Sequence, residues 1–270
     1  MEEHTDKQNL HVLLVGIASI LLIGVVFIGK SFFVDDTSDI PSSATNSSTS
    51  TKAERQTITP QELQAKINRK ENVFLVDIRS KEDYIAKHLP KSRSFPSETM
   101  NNFSKEGDAL VIIIGSIKNP DANELALSIL KEKNIENWFL AGGFEEWSQK
   151  GYPTISQGNP SDFVDQSKVT FITKENLLPL VGDNSVLILD TQSDDNYHRK
   201  HIKGALHITL NDLEKKANEI PSNKRVVVYG ENELESFRAG VRLFDLNFFS
   251  VETLRGNDHL KTGSSLPLEP

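Results

Sequence analysis

At 270 residues the chain has room for about two domains of ordinary size, and 37% apolar with 25% charged residues is the balance of folded modules carrying extra polar segments. A net charge of −8 argues against nucleic acid as a partner, because a phosphate backbone would be repelled. With no cysteine anywhere, structural disulfides and thiolate-held metals are excluded too, although this singles out no compartment.

The first element follows a polar tail, residues 1–11. From Val12 to Gly29 the chain passes eighteen residues without a charge. At about 1.5 Å per residue that is roughly 27 Å of helix, enough to cross a hydrocarbon core, so residues 12–29 are predicted as a single transmembrane helix. A cleaved signal peptide is the rival reading. The acidic tail, with Glu2, Glu3 and Asp6, the length of the run and the lack of a small-residue cleavage site directly after it favour an anchor that stays. Lysines stand on both sides, Lys7 and Lys30, so orientation rests on the short tail remaining inside, which puts the rest of the chain on the extracytoplasmic side. Residues 30–56, with P-S-S-A-T-N-S-S-T-S-T, hold too little apolar surface for a core and read as a disordered tether.

Beyond the tether, short apolar strands alternate with helices. Residues 57–155 contain predicted strands at Val73 to Asp77, Leu110 to Ile114 and Trp138 to Leu140, with a helix from Asn123 to Lys133. Residues 156–170 carry the turn residues S-Q-G-N-P-S-D and read as a linker. Residues 171–270 contain predicted strands at Val186 to Asp190, Arg225 to Tyr229 and Val251 to Leu254, with a helix from Glu235 to Phe244. The expected fold class is α/β: two tandem domains, each a mostly parallel sheet flanked by helices.

The two halves repeat each other. I-T-P-Q-E-L from Ile58 and F-L-V-D-I-R-S ending at Ser80 are matched by I-T-K-E-N-L from Ile172 and L-I-L-D-T-Q-S ending at Ser193. In both, a tyrosine lies seven residues and a histidine eleven residues after the aspartate: Tyr84 and His88 after Asp77, Tyr197 and His201 after Asp190. Shared spacing across unlike filler residues marks two homologous modules.

These elements resemble the rhodanese family over roughly residues 57 to 270. V-D-I-R-S with Asp77 and Arg79, the turn K-H-L-P-K-S with His88, and A-G-G-F-E-E-W-S-Q-K-G-Y-P with Gly142, Gly143 and Trp147 carry the resemblance in the first module. H-I-K-G-A, with His201 and Gly204, carries it in the second, whose C-terminal end lacks the Trp and one glycine. The resemblance implies tandem sulfurtransferase domains in which a loop cysteine holds sulfur as a persulfide, a task for a soft thiolate of low pKa. Such a loop joins a strand to a helix, so its N–H groups and the helix dipole converge on an anion.

Here the thiol is missing twice. The family pattern C-x-x-G-x-R-S-x-x-A falls without gaps on G-E-N-E-L-E-S-F-R-A, so the cysteine position is Gly230, and Glu233 and Glu235 replace the loop glycine and arginine. The first loop is about two residues longer, its cysteine position lies within Gly115 to Ile117, and Gly115 is taken as the counterpart of Gly230. The candidate binding loops are therefore Gly115, Ser116, Ile117, Lys118 and Asn119, and Gly230, Glu231, Asn232, Glu233, Leu234 and Glu235. Three carboxylates around the second cradle are expected to turn thiosulfate away, since like charges about 4 Å apart repel by roughly 4 kcal/mol at an effective dielectric of about 20. They read as a solvated face in preference to a cation or partner site.

Asp77, Asp190, His88 and His201 are expected to be structural hydrogen-bonders, and Trp138 and Trp147 core residues. No metal-ligand spacing and no cofactor motif stands out. The functional expectation is a membrane-anchored, catalytically inactive module that binds a protein or serves as a scaffold. An enzyme would need another nucleophile, Ser116 or Ser236, with a base that the sequence does not reveal.

Overall fold

The computed structural model describes residues 55–270 except 106, 258, 259 and 262. The predicted transmembrane helix, residues 12–29, and the tether as far as residue 54 lie outside these. Among the described residues no helix is long and apolar enough to cross a membrane.

The first module runs β1 (Thr57–Ile58), α1 (Pro60–Asn68), β2 (Val73–Asp77), α2 (Lys81–Ala86), β3 (Lys87–His88), β4 (Arg93–Ser94), β5 (Leu110–Ile114), α3 (Pro120–Glu132), β6 (Asn137–Leu140), α4 (Gly143–Gln149) and β7 (Ile155–Ser156). The second runs α5 (Phe163–Ser167), β8 (Phe171–Ile172), α6 (Lys174–Leu177), β9 (Val186–Asp190), α7 (Asp194–Arg199), β10 (His201–Ile202), β11 (Leu206–His207), β12 (Arg225–Tyr229), α8 (Glu233–Asp245), β13 (Val251–Leu254) and β14 (Leu268–Glu269). Each module has one five-stranded sheet, in the order β1-β6-β5-β2-β4 and, from the matching edge, β8-β13-β12-β9-β11. Every pairing in these sheets is parallel. The identical strand order bears out the internal repeat.

Parallel strands bury both faces, which is why their sequences are continuous apolar runs. Along β2 and β5, Val76, Val111 and Ile113 face one core cluster while Leu75, Ile112 and Ile114 face the other. In the second module Ile188, Val227 and Tyr229 lie in one cluster, and Leu189, Val226 and Val228 in the other. Helix starts follow their caps. Asn119 accepts a bond from Ala122 N–H and Pro120 occupies the first turn of α3, while Asn232 accepts from Glu235 N–H at the head of α8. Both helices thus begin two or three residues earlier than apolar periodicity alone predicts.

Residues 156–170, read from sequence as a linker, carry secondary structure of their own. Ser156 belongs to β7, which pairs antiparallel with β3, and α5 occupies Phe163–Ser167. Asp165 is buried and accepts the Ser156 hydroxyl and the Asn159 N–H, both at 2.9 Å. The modules are also joined directly. Glu214 accepts from Lys91 N–H at 2.9 Å and lies 3.1 Å from His88 Nε2, while His88 Nδ1 faces Tyr84 O at 2.8 Å. Both neighbours of the ring are acceptors.

Burial pushes the Glu214 carboxyl up, but the bonds from His88 and Lys91 outweigh it and leave it below the ordinary glutamate range. A lowered folded-state pKa means stability present above the unfolded value and lost as pH falls through the folded one. Glu214→Gln is therefore expected to cost about 1 to 3 kcal/mol at neutral pH. In urea titrations the gap from wild type should narrow as pH falls through and below the ordinary carboxylate range. A gap unchanged by acid would refute the assignment.

Candidate functional site

The strand register positions both loops in the same way. Asp77 pairs with Ile114 and Asp190 with Tyr229, so in each module a fully buried carboxylate stands beside the strand end from which the candidate loop departs. In an open parallel sheet this carboxyl edge is where ligands bind.

In the first module the loop's donors are already taken. Ser116 N–H donates to Asn123 Oδ1 at 3.3 Å, Ile117 N–H to Glu145 Oε2 at 3.2 Å and Lys118 N–H to Ser116 Oγ at 3.1 Å. The Ser116 hydroxyl donates to the other Glu145 oxygen at 2.5 Å. Glu145, carried on α4, thus holds its carboxylate on two loop donors that would otherwise face an anion. Gly115 is enclosed as well. A Cβ there would stand 2.2 Å from Asn123 Oδ1 and 2.7 Å from the Phe139 ring, so no side chain fits without movement. A cavity of about 630 Å³ opens beside this loop, with Arg79, Glu98, Ser116, Lys118 and Glu145 in its wall.

The second loop is closed by different residues to the same end. Gly230 N–H donates to Ser236 Oγ at 2.9 Å, Glu231 N–H to Glu235 Oε2 at 3.2 Å and Glu233 N–H to Asn257 Oδ1 at 2.6 Å. The three glutamates do not converge on one anion position. Glu231 takes the Ser193 hydroxyl at 2.8 Å, Glu233 the Gly256 N–H at 3.1 Å, and Glu235 the Glu231 N–H. The Ser193 hydroxyl is the main reason that Glu231 lies below the ordinary glutamate range. A Cβ on Gly230 would meet Glu235 Cβ at 2.8 Å.

Behind the loops the modules have diverged. Arg79 donates to Asp77 from Nη2 to Oδ2 at 2.7 Å and from Nε to Oδ1 at 3.0 Å and Oδ2 at 3.2 Å, and donates again to Lys87 O at 2.7 Å. Its guanidinium carbon lies 3.8 Å from the Phe144 ring centre. Burial nevertheless raises the Asp77 carboxyl above its ordinary range, Arg79 offsetting only part of the effect. At the matching place Gln192 reaches Asp190 Oδ2 at 2.9 Å and Lys200 O at 3.2 Å, the same contacts from a neutral side chain, and Tyr229 donates its hydroxyl to Asp190. His88 and His201 stack on Tyr84 and Tyr197, with ring centres 4.0 and 3.9 Å apart, and each faces that tyrosine's carbonyl through Nδ1.

The rhodanese-like domain profile matches twice, over residues 59–150 and 173–256, more than half of the chain. The chain belongs to the rhodanese-like domain family. Among relatives, the thiosulfate sulfurtransferase GlpE of Coxiella burnetii is 29% identical over 77 residues, 28% of this chain and 72% of that protein. YrkF of Bacillus subtilis is 39% identical over 47 residues, 17% of this chain and 25% of its own length. A crystal structure of the Pseudomonas aeruginosa thiosulfate sulfurtransferase is 17% identical with a TM-score of 0.42, covering 80% of this chain and 45% of that one. The chain thus spans a quarter of YrkF and under half of the Pseudomonas enzyme.

Gly142 and Gly143 adopt left-handed backbone at the head of α4, and a Cβ on Gly143 would come 2.6 Å from Gly115 O. Trp147 is buried and donates to Pro153 O at 2.9 Å, whereas Trp138 is only partly buried. Gly204, also left-handed, donates its N–H to Glu269 at 3.0 Å. Sequence reasoning missed Glu145, Asn123 and Glu214. Glu145 fills a variable position of the terminal motif, and Glu214 lies 126 residues from His88, so neither carried a local signal.

Proposed function

We propose that this rhodanese-like protein is a non-catalytic binding or scaffold module, tethered to a membrane by residues 12–29 with its domains on the extracytoplasmic side. The observation that carries the reading is the state of the two loops. Each has several of its backbone donors bonded internally, has no room for a side chain at the cysteine position, and leaves an aliphatic residue in the open, Ile117 at 64% and Leu234 at 41% exposure. Closed polar backbone beneath an exposed apolar residue suits contact with a protein better than capture of a small anion.

The test is photo-crosslinking in native membranes from positions 117 and 234 of the full-length chain. One partner, saturable at both positions and lost on Glu231→Lys plus Glu235→Lys, is the expected result. Absence of any saturable adduct from either loop counts against the reading. Protease accessibility in sealed vesicles checks the orientation: protection of residues beyond the tether on the wrong side would reverse it.

One observation favours the enzyme reading for Ser116 over Ser236. Ser116 has the Glu145 carboxylate 2.5 Å from its hydroxyl, whereas Ser236 is buried and its hydroxyl donates to Asn232 O. Among the described residues no histidine lines the cavity beside Ser116. Covalent labelling of Ser116 by a fluorophosphonate would revive this alternative.

A further inference from the structure

Phe163 and Val164, adjacent on α5, are 80% and 56% exposed. Asp165 is the residue of this short helix that turns inward, held by Ser156, Asn159 and Lys168, so its two apolar neighbours are left outside. A lone exposed apolar residue is ordinary, whereas these two adjoin an apolar hollow. Pro160 and Gln166, three residues to either side of Phe163, line a cavity of about 480 Å³ together with Phe171, Glu233, Leu234 and Phe237. Gln166 Nε2 donates to Pro160 O at 2.7 Å, and Phe171 stacks on Phe237 with ring centres 6.5 Å apart, so the lining is fixed and largely aromatic. A volume within the range of ligand pockets admits one phenyl ring with room to spare. The face thus carries a protruding ring beside a hole that fits it.

Its charges are of both signs. Glu233, in the cavity wall, accepts the Gly256 N–H at 3.1 Å and among the described residues forms no ion pair. Arg255, the residue before Gly256, has its guanidinium carbon 4.4 Å from the Phe171 ring centre, and among the described residues that side chain has no carboxylate partner either. The repeat does not supply this face. Phe171 stands where the first module has Thr57, and α5 has no equivalent among the described residues ahead of β1.

We propose that two copies of this chain pair through α5 and the head of α8 about a two-fold axis, each inserting Phe163 into the cavity of the other. A two-fold contact sets one patch against itself, so it needs a surface that is its own complement. A ring beside a hole meets that condition, and so does an acid beside a base, with Glu233 of one copy facing Arg255 of the other. Aromatic side chains are enriched in such contacts. A lipid surface would suit aromatic residues ringed by cations alone, and here a carboxylate lies in the wall. The pairing deepens the protein-binding reading, on which its use of Leu234 rests, by naming a second copy as the occupant of that face.

The experiment is multi-angle light scattering of the full-length chain in detergent over a wide concentration range. A two-copy species should build up with concentration. Phe163→Ser, at an exposed position, should melt like wild type and pair at least about tenfold more weakly. Glu233→Arg and Arg255→Glu should each weaken pairing, and the double exchange should restore it. A photo-crosslinker at position 163 in native membranes should join the chain to its own copy. The proposal is overturned if the chain stays single at every concentration, if Phe163→Ser pairs as tightly, if the double exchange pairs no better than either single one, or if position 163 yields adducts only with lipid or a different protein. A single-copy chain that still gives a saturable adduct from position 117 would sink this inference alone, and a Phe163-dependent pair without that adduct would sink only the earlier reading.

Discussion

Gly115→Cys and Gly230→Cys, each returning a thiol to its family position, are expected to show no thiosulfate:cyanide sulfur transfer above the cysteine-free parent. A persulfide carrier needs a thiolate in an open cradle of N–H donors, and here the cradles are filled. At Gly115 the new Cβ would lie 2.2 Å from Asn123 Oδ1, inside any permissible contact, while Glu145 holds the donors. At Gly230 the new Cβ would lie 2.8 Å from Glu235 Cβ and 3.2 Å from Ser236 N, with the Glu231 N–H already bonded to Glu235. Overpacking of this kind costs about 1 to 3 kcal/mol, so both variants should also melt lower, by roughly 2 to 12 °C. The decisive comparison is the triple variant Gly115→Cys, Asn123→Ala and Glu145→Ala. It removes the Asn123 clash and frees the Ser116 and Ile117 N–H groups, leaving only the Phe139 ring to shift, so it should accept cyanolysable sulfur where the single variant does not. Robust transfer by either single cysteine variant would show that only the thiol was lost and the loop was not rebuilt.

Much of this fold is readable from side-chain pattern alone. The runs Val73–Asp77, Leu110–Ile114, Val186–Asp190 and Arg225–Tyr229 are predicted strands with the observed bounds, because a strand buried on both faces is mainly apolar, and Val251–Leu254 has its predicted bounds despite Glu252 and Thr253. The two-residue strands β1, β3, β4, β7 and their counterparts in the second module are not readable. Two residues carry no periodicity, and their pairing depends on a partner distant in sequence. The candidate site divides similarly. Gly115 and Gly230 are located by motif spacing, but the carboxylate on the first loop comes from α4, 29 residues on, and its role appears only once the helix is placed. The same holds for the glutamates after Gly230. Their clustering in sequence suggests mutual repulsion, whereas in space they reach Ser193, Gly256 and their own loop backbone.

Divergence between the modules follows the same lines. Arg79 and Gln192 make equivalent contacts to a buried aspartate and to a carbonyl eight residues on, yet only one is charged. The scaffold role of this position is thus kept by geometry, which a neutral amide can supply, while charge is dispensable. In the second module the cationic groups near the loop are instead Arg238 and Arg242, on the helix that follows it.

Lys168→Met is expected to be the most destabilising of the single substitutions considered, and the reason lies in the segment first read as a linker. Lys168 Nζ is 3.0 Å from Asp165 Oδ1 and 2.9 Å from Asp245 Oδ1, with all three side chains no more than 10% exposed. Asp245, at the end of α8, also accepts the Ser156 N–H at 2.8 Å, so one lysine joins the first module's last strand, the intermodule segment and the long helix of the second module. Removing the cation leaves two shielded carboxylates facing each other, and breaking a buried pair from one side costs about 3 to 5 kcal/mol. Out of a total stability of roughly 5 to 15 kcal/mol, that is a fall in Tm of roughly 6 to 20 °C. The pH dependence has a definite sign. Burial opposes the charge on Lys168, but Asp245 and Asp165 outweigh it and raise its pKa, so its contribution is complete below the ordinary lysine range and lost as pH rises through the raised value. For Asp165 burial is likewise outweighed, by the Asn159 N–H, Lys168 and Ser156, so its share is present above the ordinary aspartate range and lost in acid. Asp245 stays raised because burial dominates, so this carboxylate bears the cost of the arrangement. Asp245→Asn should therefore be milder than Lys168→Met in calorimetry, since it removes a disfavoured charge and keeps an acceptor for Ser156. Equal losses for the two, or a Lys168→Met variant within about 0.5 kcal/mol of wild type, would mean that the modules are held by their apolar contacts and not by this lysine.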